Sequence, residues 1–315
     1  LKGGTLVNHD GVGQRDIAVS GGRIVGIGSF GKEQGGEVVD CTGLHILPGV
    51  VDSQVHLREP GAEHKEDLET GGRAAVKGGV TGVFEMPNTS PLTTSAEALA
   101  DKVARASNRM YCDFAFYVGG TRENAHQLGE LELLPGCAGI KVFMGSSTGS
   151  LLVDDDKGVA RVLANIRRRA AFHSEDEDRL NDRKHLRVEG DPSSHYVWRD
   201  AEAARLCTER LVRLAREAHK RIHVLHISTA DEFPILSQAR DVATVEVLAN
   251  HLVFTSEDYA RLGTLLQMNP PIREPQHRKG IWAALNSGLV DVLGSDHAPH
   301  TLEEKAKPYP ASPSG

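Results

Sequence analysis

Several apolar segments of this chain end in side chains that can bind metal ions or activate water. One runs into Gln54-Val55-His56-Leu57-Arg58, another into Met86-Pro87-Asn88, and a third carries Lys141 within Gly139-Ile140-Lys141-Val142-Phe143. Others end at His173, at His226, and at Asp296 with His297 and His300 close behind. A lone histidine at such a place is more often a hydrogen-bonded structural residue than a ligand. His9, His45, His64, His126, His185, His195, His219, His223, His251 and His277 are read that way. Several independent segments ending in His, Lys or Asp point instead to a shared metal centre. Nitrogen and carboxylate donors without a thiol suit Zn²⁺ and leave Mn²⁺, Co²⁺ or Fe²⁺ open. Lys141 is the anomaly, because an ammonium inside an apolar strand pays a large desolvation cost unless it pairs or loses its charge. A neutral lysine can capture CO₂ as a carbamate, whose two oxygens can bridge two metal ions.

Such residues converge only if parallel strands bring their carboxyl ends to one face. Apolar strands are read at 45–56, 81–87, 112–118, 138–144, 170–173, 221–227, 242–254 and 290–295. Helical patterns lie between them, as at 95–109 and 200–219; the latter places Ala203, Cys207, Leu211, Leu214 and Ala218 on one face. Eight alternating units favour an α/β (β/α)₈ barrel over a doubly wound sheet. Residues 1–48 read instead as short glycine-punctuated strands, part of a small β domain, with the barrel spanning 49–315.

The 315 residues are 39% hydrophobic and 25% charged, with a net charge of −7. A negative balance argues against nucleic acid or an anionic membrane as partner. The clusters Arg167-Arg168-Arg169 and Arg210/Arg213/Arg216 read as solvated helix faces. No apolar run approaches the roughly 20 residues of a membrane span, and no signal-peptide pattern opens the chain. Cys41, Cys112, Cys137 and Cys207 lie far apart, as buried thiols in a reducing cytoplasm would.

Five motifs resemble those of dihydroorotases, in the amidohydrolase superfamily. They are His56-Leu57-Arg58-Glu59-Pro60-Gly61, Glu85-Met86-Pro87-Asn88-Thr89, Lys141-Val142-Phe143-Met144-Gly145, His173-Ser174-Glu175-Asp176 and Gly294-Ser295-Asp296-His297-Ala298-Pro299-His300. They occur in the family's order. The resemblance implies a metal-dependent barrel with a small β-sandwich domain, opening dihydroorotate reversibly to N-carbamoyl-aspartate in pyrimidine synthesis. It implies one or two Zn²⁺ and a carbamylated Lys141 bridging them. His173 and His226 would hold the more exposed ion, and His56 and Asp296 the buried one. Arg58, Asn88 and His300 would bind the substrate carboxylate, with Asn269 on the ring amide. Asp296 would take a proton from the attacking water and return it to the leaving nitrogen. A homodimer or larger homo-oligomer is implied, with aspartate carbamoyltransferase as a possible partner.

Two features depart from the family. Its strand-one motif is His-x-His, whereas Gln54 fills the first place here and offers only a neutral, weak carbonyl ligand. The family also continues through an eighth barrel helix and further β strands, so that portion is expected beyond Gly315, in a trimmed or incompletely represented chain. Three readings stay open: an active dihydroorotase, a related hydantoinase or allantoinase, and a barrel that has lost catalysis and serves as a structural partner.

Overall fold

The computed structural model describes residues 1–31, 36–146 and 149–315. It divides into two compact units, Leu1–Val50 and Val51–Gly315. In the first, β1 (Thr5–Asn8) pairs antiparallel with β2 (Gly11–Gln14) and parallel with the two-residue β5 (His45–Ile46). β3 (Asp16–Ser20) and β4 (Arg23–Gly28) form a separate hairpin. Its turn is Gly21-Gly22, with φ of 57° and 73°. Positive φ at both turn residues matches the twist of the flanking strands and is open to glycine at no steric cost.

The second unit is built on one eight-stranded sheet in sequential order. The strands are β6 (Val50–Val55), β7 (Val80–Glu85), β8 (Asp113–Gly119), β9 (Cys137–Phe143), β10 (Ala170–His173), β11 (Ile222–Val224), β12 (Ala243–Leu248) and β13 (Val292–Gly294). Neighbouring strands from β7 to β13 pair in parallel. The ends of the sheet meet through a parallel bridge between Val55 and His297, and the His56 N–H donates to the His297 carbonyl at 2.6 Å. The expected (β/α) barrel is therefore present.

Alternation along each strand separates two layers. Ile140, Val142, Phe172, Val224, Val245 and Val247 pack in the main core with helix residues such as Leu99, Val162, Cys207, Leu211 and Ile281. Met86, Tyr117, Ala171 and Leu225 form a second cluster. Lys141, between Ile140 and Val142, points to the face opposite the main core. Helices at Leu68–Lys77, Ala96–Ala106, Asp156–Asn165 and Ala201–Glu217 begin at Asp67, Ser95, Asp155 and Asp200, whose side chains accept a first-turn amide N–H.

The sequence reading fails at particular boundaries. The segment read as one strand over 45–56 is β5 followed by β6. The strand read at 242–254 ends at Leu248, where the apolar run turns into the helix Ala249–Val253. β11 stops at Val224, so His226 lies in the loop beyond it. Arg167-Arg168-Arg169 is not a helix face, since the preceding helix ends at Asn165. There the Arg167 and Arg168 N–H groups donate to the Glu132 carboxylate. All four cysteines are free, but Cys112 and Cys137 are only half-buried.

Candidate active site

Because the strands run parallel, the residues that follow them meet at one end of the barrel. A cavity of about 170 Å³ opens there. Its lining includes Gln54, His56, Arg58, Asn88, Lys141, His173, His226, Asn269 and Asp296, joined by Phe143, Ser146, Asn250 and Met268. His300 is not part of the wall but stands behind Arg58. All the candidate residues are thus within one neighbourhood, contributed by six of the eight strands or the loops after them, with Asn269 from a longer connection.

The hydrogen bonds define which nitrogens face inward. His56 Nδ1 lies 2.8 Å from Asn88 Oδ1 and its Nε2 lies 3.1 Å from Asp296 Oδ1, so the ring can donate to either oxygen. His173 Nε2 lies 2.8 Å from Glu175 Oε2, and its Nδ1 lies 3.0 Å from His226 Nε2. Each pair sets two good ligand atoms side by side. Burial lowers the pKa of His173 and His226, so both are neutral imidazoles with a lone pair to give. Burial works against ionising Asp296, yet the His56 hydrogen bond and the charges of His56, His226 and Lys141 hold its carboxyl well below the usual range.

Lys141 is 1% exposed, and desolvation lowers its pKa to about 7. Among the described residues its amine takes no hydrogen bond; it lies 4.5 Å from the centre of the Phe143 ring. Its charge acts on His173, His226 and Asp296 alike. Gln54 Oε1 and His226 Nδ1 are buried without a partner among the described residues. Buried polar atoms are rarely left unpaired, and Gln54 lines the cavity, so its orphaned oxygen favours a ligand or ion there; on His226 the nitrogen turned toward His173 is Nε2. Among the described residues no three of His, Cys, Asp and Glu stand close enough to hold an ion unaided. The donor set nevertheless fits a divalent cation once Lys141, the group that faces both acceptor pairs, supplies a ligand.

At the cavity mouth, Arg58 Nε donates to the Pro299 carbonyl at 2.9 Å, and Nη2 lies 3.1 Å from His300 Nε2. Desolvation, then the charges of Arg58 and Lys65, push His300 down to about 4, so it is neutral. Among the described residues Arg58 forms no ion pair. Asn269 is held from behind: His195 Nε2 lies 2.9 Å from its Oδ1 and 3.0 Å from the Met268 carbonyl. His195, read as structural from the sequence, makes these contacts from a buried position.

Six non-glycine residues among those described adopt positive φ, and four of them line the cavity: Arg58 (66°), Ser146 (59°), His226 (37°) and Asp296 (51°). L-residues resist that region, so the surrounding contacts must hold these side chains in place. The sequence reading did not identify Glu175, Ser146 or Arg199 as parts of the site. Glu175 Oε2 accepts from His173, from Ser146 Oγ at 2.9 Å and from Arg199 Nη2. Glu175 lay in the His173 motif, two residues on; for Arg199 and Ser146 nothing in the local pattern gave a signal.

The chain is similar to known hydrolases of cyclic amides. Residues 43–130 match the family model described as dihydro-orotase-like. A dihydroorotase of Halobacterium salinarum is 36% identical over 310 residues, covering 96% of this chain and 70% of that protein. An allantoinase of Salmonella choleraesuis is 34% identical over 329 residues, covering 97% of this chain and 70% of that protein. The structure of an L-hydantoinase (dihydropyrimidinase) from Arthrobacter aurescens superposes with a TM-score of 0.86 at 27% identity, covering 96% of this chain and 70% of that one. With the barrel, the converging donors and identity at this level over nearly its whole length, the chain belongs to the dihydroorotase-like family of cyclic amide hydrolases.

Proposed function

We propose that the chain is a dihydroorotase, hydrolysing the ring amide of dihydroorotate reversibly to N-carbamoyl-aspartate. Lys141, His173 and His226 would hold one Zn²⁺, and His56 and Asp296, with Gln54 beside them, a second. When bound, such ions lower the pKa of water from about 15.7 toward roughly 7 and polarise a carbonyl. The chain's own part begins with Lys141. Half neutral near pH 7, its amine can add to CO₂ and release a proton, giving a carbamate that replaces a buried cation with an anion. Asp296, ionised and on the cavity wall, accepts a proton from the attacking water and passes it to the leaving amide nitrogen. Arg58 and Asn88 take the substrate carboxylate, and Asn269 faces the ring. The setting this reading implies is a cytoplasmic homo-oligomer, alone or with aspartate carbamoyltransferase. The free thiols fit a reducing compartment, and no helix among the described residues is long and apolar enough to cross a membrane.

The observation that carries the substrate assignment is Arg58, a cavity guanidinium with no carboxylate partner among the described residues. Its planar donor fork suits a bound carboxylate. The test is to assay the zinc-loaded chain on dihydroorotate, dihydrouracil, a hydantoin and allantoin, before and after Arg58→Met. Dihydroorotate should be the preferred substrate. The substitution should cut its kcat/KM by about 10- to 150-fold, the loss of a charge-assisted contact worth about 1.5–3 kcal/mol, with little effect on dihydrouracil. Equal losses on both rings would make Arg58 structural and favour a hydantoinase or allantoinase. Gln54 favours a second reading, a non-catalytic structural partner, which gains if the chain neither binds metal nor turns over any of these rings.

A further inference from the structure

Beside the cavity, His173 meets a buried array centred on Glu175 and Arg199, two residues that the proposed reaction does not use. Glu175 is fully buried, and Arg199 and His173 are each 3% exposed. One carboxylate oxygen, Glu175 Oε2, gathers three donors: His173 Nε2 at 2.8 Å, Ser146 Oγ at 2.9 Å and the Arg199 guanidinium. The other oxygen, Oε1, has no partner among the described residues. Arg199 is itself tied down, because its carbonyl accepts from Arg273 Nη1 at 2.6 Å. The loop carrying Ser146 is pressed against the same point. A Cβ on Gly145 would overlap the backbone carbonyl of Glu175.

We infer that Glu175, anchored by Arg199 and Ser146, is a positioning residue that fixes the tautomer of His173, keeping its proton on Nε2 and the Nδ1 lone pair turned into the cavity. The opposite neutral tautomer would set the Nε2 lone pair against a buried carboxylate oxygen 2.8 Å away, an acceptor facing an acceptor. A proton on Nδ1 could reach His226 Nε2 at 3.0 Å, but that one neutral contact would leave the buried carboxylate facing a lone pair, whereas with the proton on Nε2 the Nδ1 lone pair can accept from His226 instead. Carboxylates that hold the outer nitrogen of a ligating histidine set both its tautomer and its basicity. What the tautomer is used for rests on the metal-hydrolase reading; the tautomer itself does not.

The array separates this role from that of a plain buried ion pair. Since all three donors meet at Oε2 and nothing meets Oε1, Glu175→Gln can keep its carbonyl oxygen at Oε2 and put its amide group at Oε1. The hydrogen bond to His173 then survives although the charge is gone. Glu175→Leu removes the acceptor altogether. The experiment uses the full chain with ¹⁵N-labelled histidine, freed of metal, with His173 assigned through His173→Gln. Long-range ¹H–¹⁵N spectra read the tautomer, and competition titration reads Zn²⁺ affinity. The parent protein should show His173 protonated on Nε2. Glu175→Gln should keep that pattern and bind Zn²⁺ within a few-fold of the parent, whereas Glu175→Leu should lose the preference and weaken binding by about 10- to 100-fold.

A parent protein protonated at Nδ1 overturns the assignment without recourse to any variant, so it remains decidable even if Glu175→Leu fails to fold. So does a folded Glu175→Leu with an unchanged tautomer. If the tautomer is as expected in the parent and lost in the leucine variant, but the parent binds no Zn²⁺, the positioning role stands and the metal-hydrolase reading falls.

Discussion

Burial changes what a lysine can do at neutral pH. On the inner face of β9, Lys141 is brought to about 7 by desolvation, within reach of its uncharged, nucleophilic form. Lys141→Ala should lose metal and hydrolysis together, and a short carboxylic acid such as propionate should restore part of both; elemental analysis and a dihydroorotate assay check this. Rescue of activity without recovery of metal would remove the bridging role. Gln54 poses the complementary question. It lies two residues before His56 on the same side of its strand, so its neutral carbonyl reaches the cavity as a weak ligand. Gln54→His should raise the metal content toward two ions per chain, measured after dialysis against a weak chelator. Two tightly held ions in the unaltered protein would show that Gln54 is no handicap. These residues were legible in the sequence because their types are unusual at the ends of apolar strands. Arg199 and Ser146 were not, since their partner Glu175 lies 24 and 29 residues away along the chain and only folding brings them together.

At the level of elements, the strand ends were easier to read than the strand lengths. Alternating apolar runs placed β7 through β10 to within about two residues. The run after Ala243 was overextended because Leu252, Val253 and Phe254 resume the apolar pattern just past Asn250-His251, although the chain has already turned helical. Periodicity located the helix Ala201–Glu217 well, with Ala203, Cys207, Leu211 and Leu214 all buried as their spacing predicts. Its start depends on Asp200, whose side chain accepts from the Ala203 N–H and from Arg179 at 2.8 and 2.6 Å. Asp200→Ala should therefore destabilise the protein by about 1–2 kcal/mol, the usual loss for a helix cap. A lower urea midpoint with unchanged metal content is the expected result, since Asp200 is not part of the cavity wall.

For the whole molecule, the barrel followed from eight alternating strand and helix patterns, whereas buried ionisable groups outside the site left no trace in the sequence. Glu232 is one. It is 2% exposed, one oxygen accepts from Thr208 Oγ1 at 2.7 Å, and burial pushes its pKa up to about 7. A carboxyl raised in the folded state favours the protonated protein. Its contribution to stability is fully present below the unfolded value of 4.5 and is lost as pH rises through 7. Glu232→Gln removes that dependence. The variant should match the parent near pH 4.5 and exceed it at pH 8 by up to about 3 kcal/mol, read from denaturant midpoints at the two pH values. A variant less stable than the parent at pH 8 would mean that the ionised carboxylate is the form the fold prefers.

The junction between β6 and β13 has a consequence for how the chain folds. His56 and Asp296 stand 240 residues apart in sequence, on either side of that junction. Every other pairing around the barrel joins strands that follow one another, so it can form as the chain lengthens. The last pairing must wait for the entire circuit. If His56 and Asp296 act as proposed, that pair cannot be complete in a half-folded barrel, and hydrolysis would itself report ring closure. An ion gripped by both residues would act as a clasp on a very long loop, limiting the freedom of the open chain much as a covalent cross-link does. Stripping the ion should then loosen this seam first, seen as faster amide exchange at Val55 and His56 than in β9 and β10.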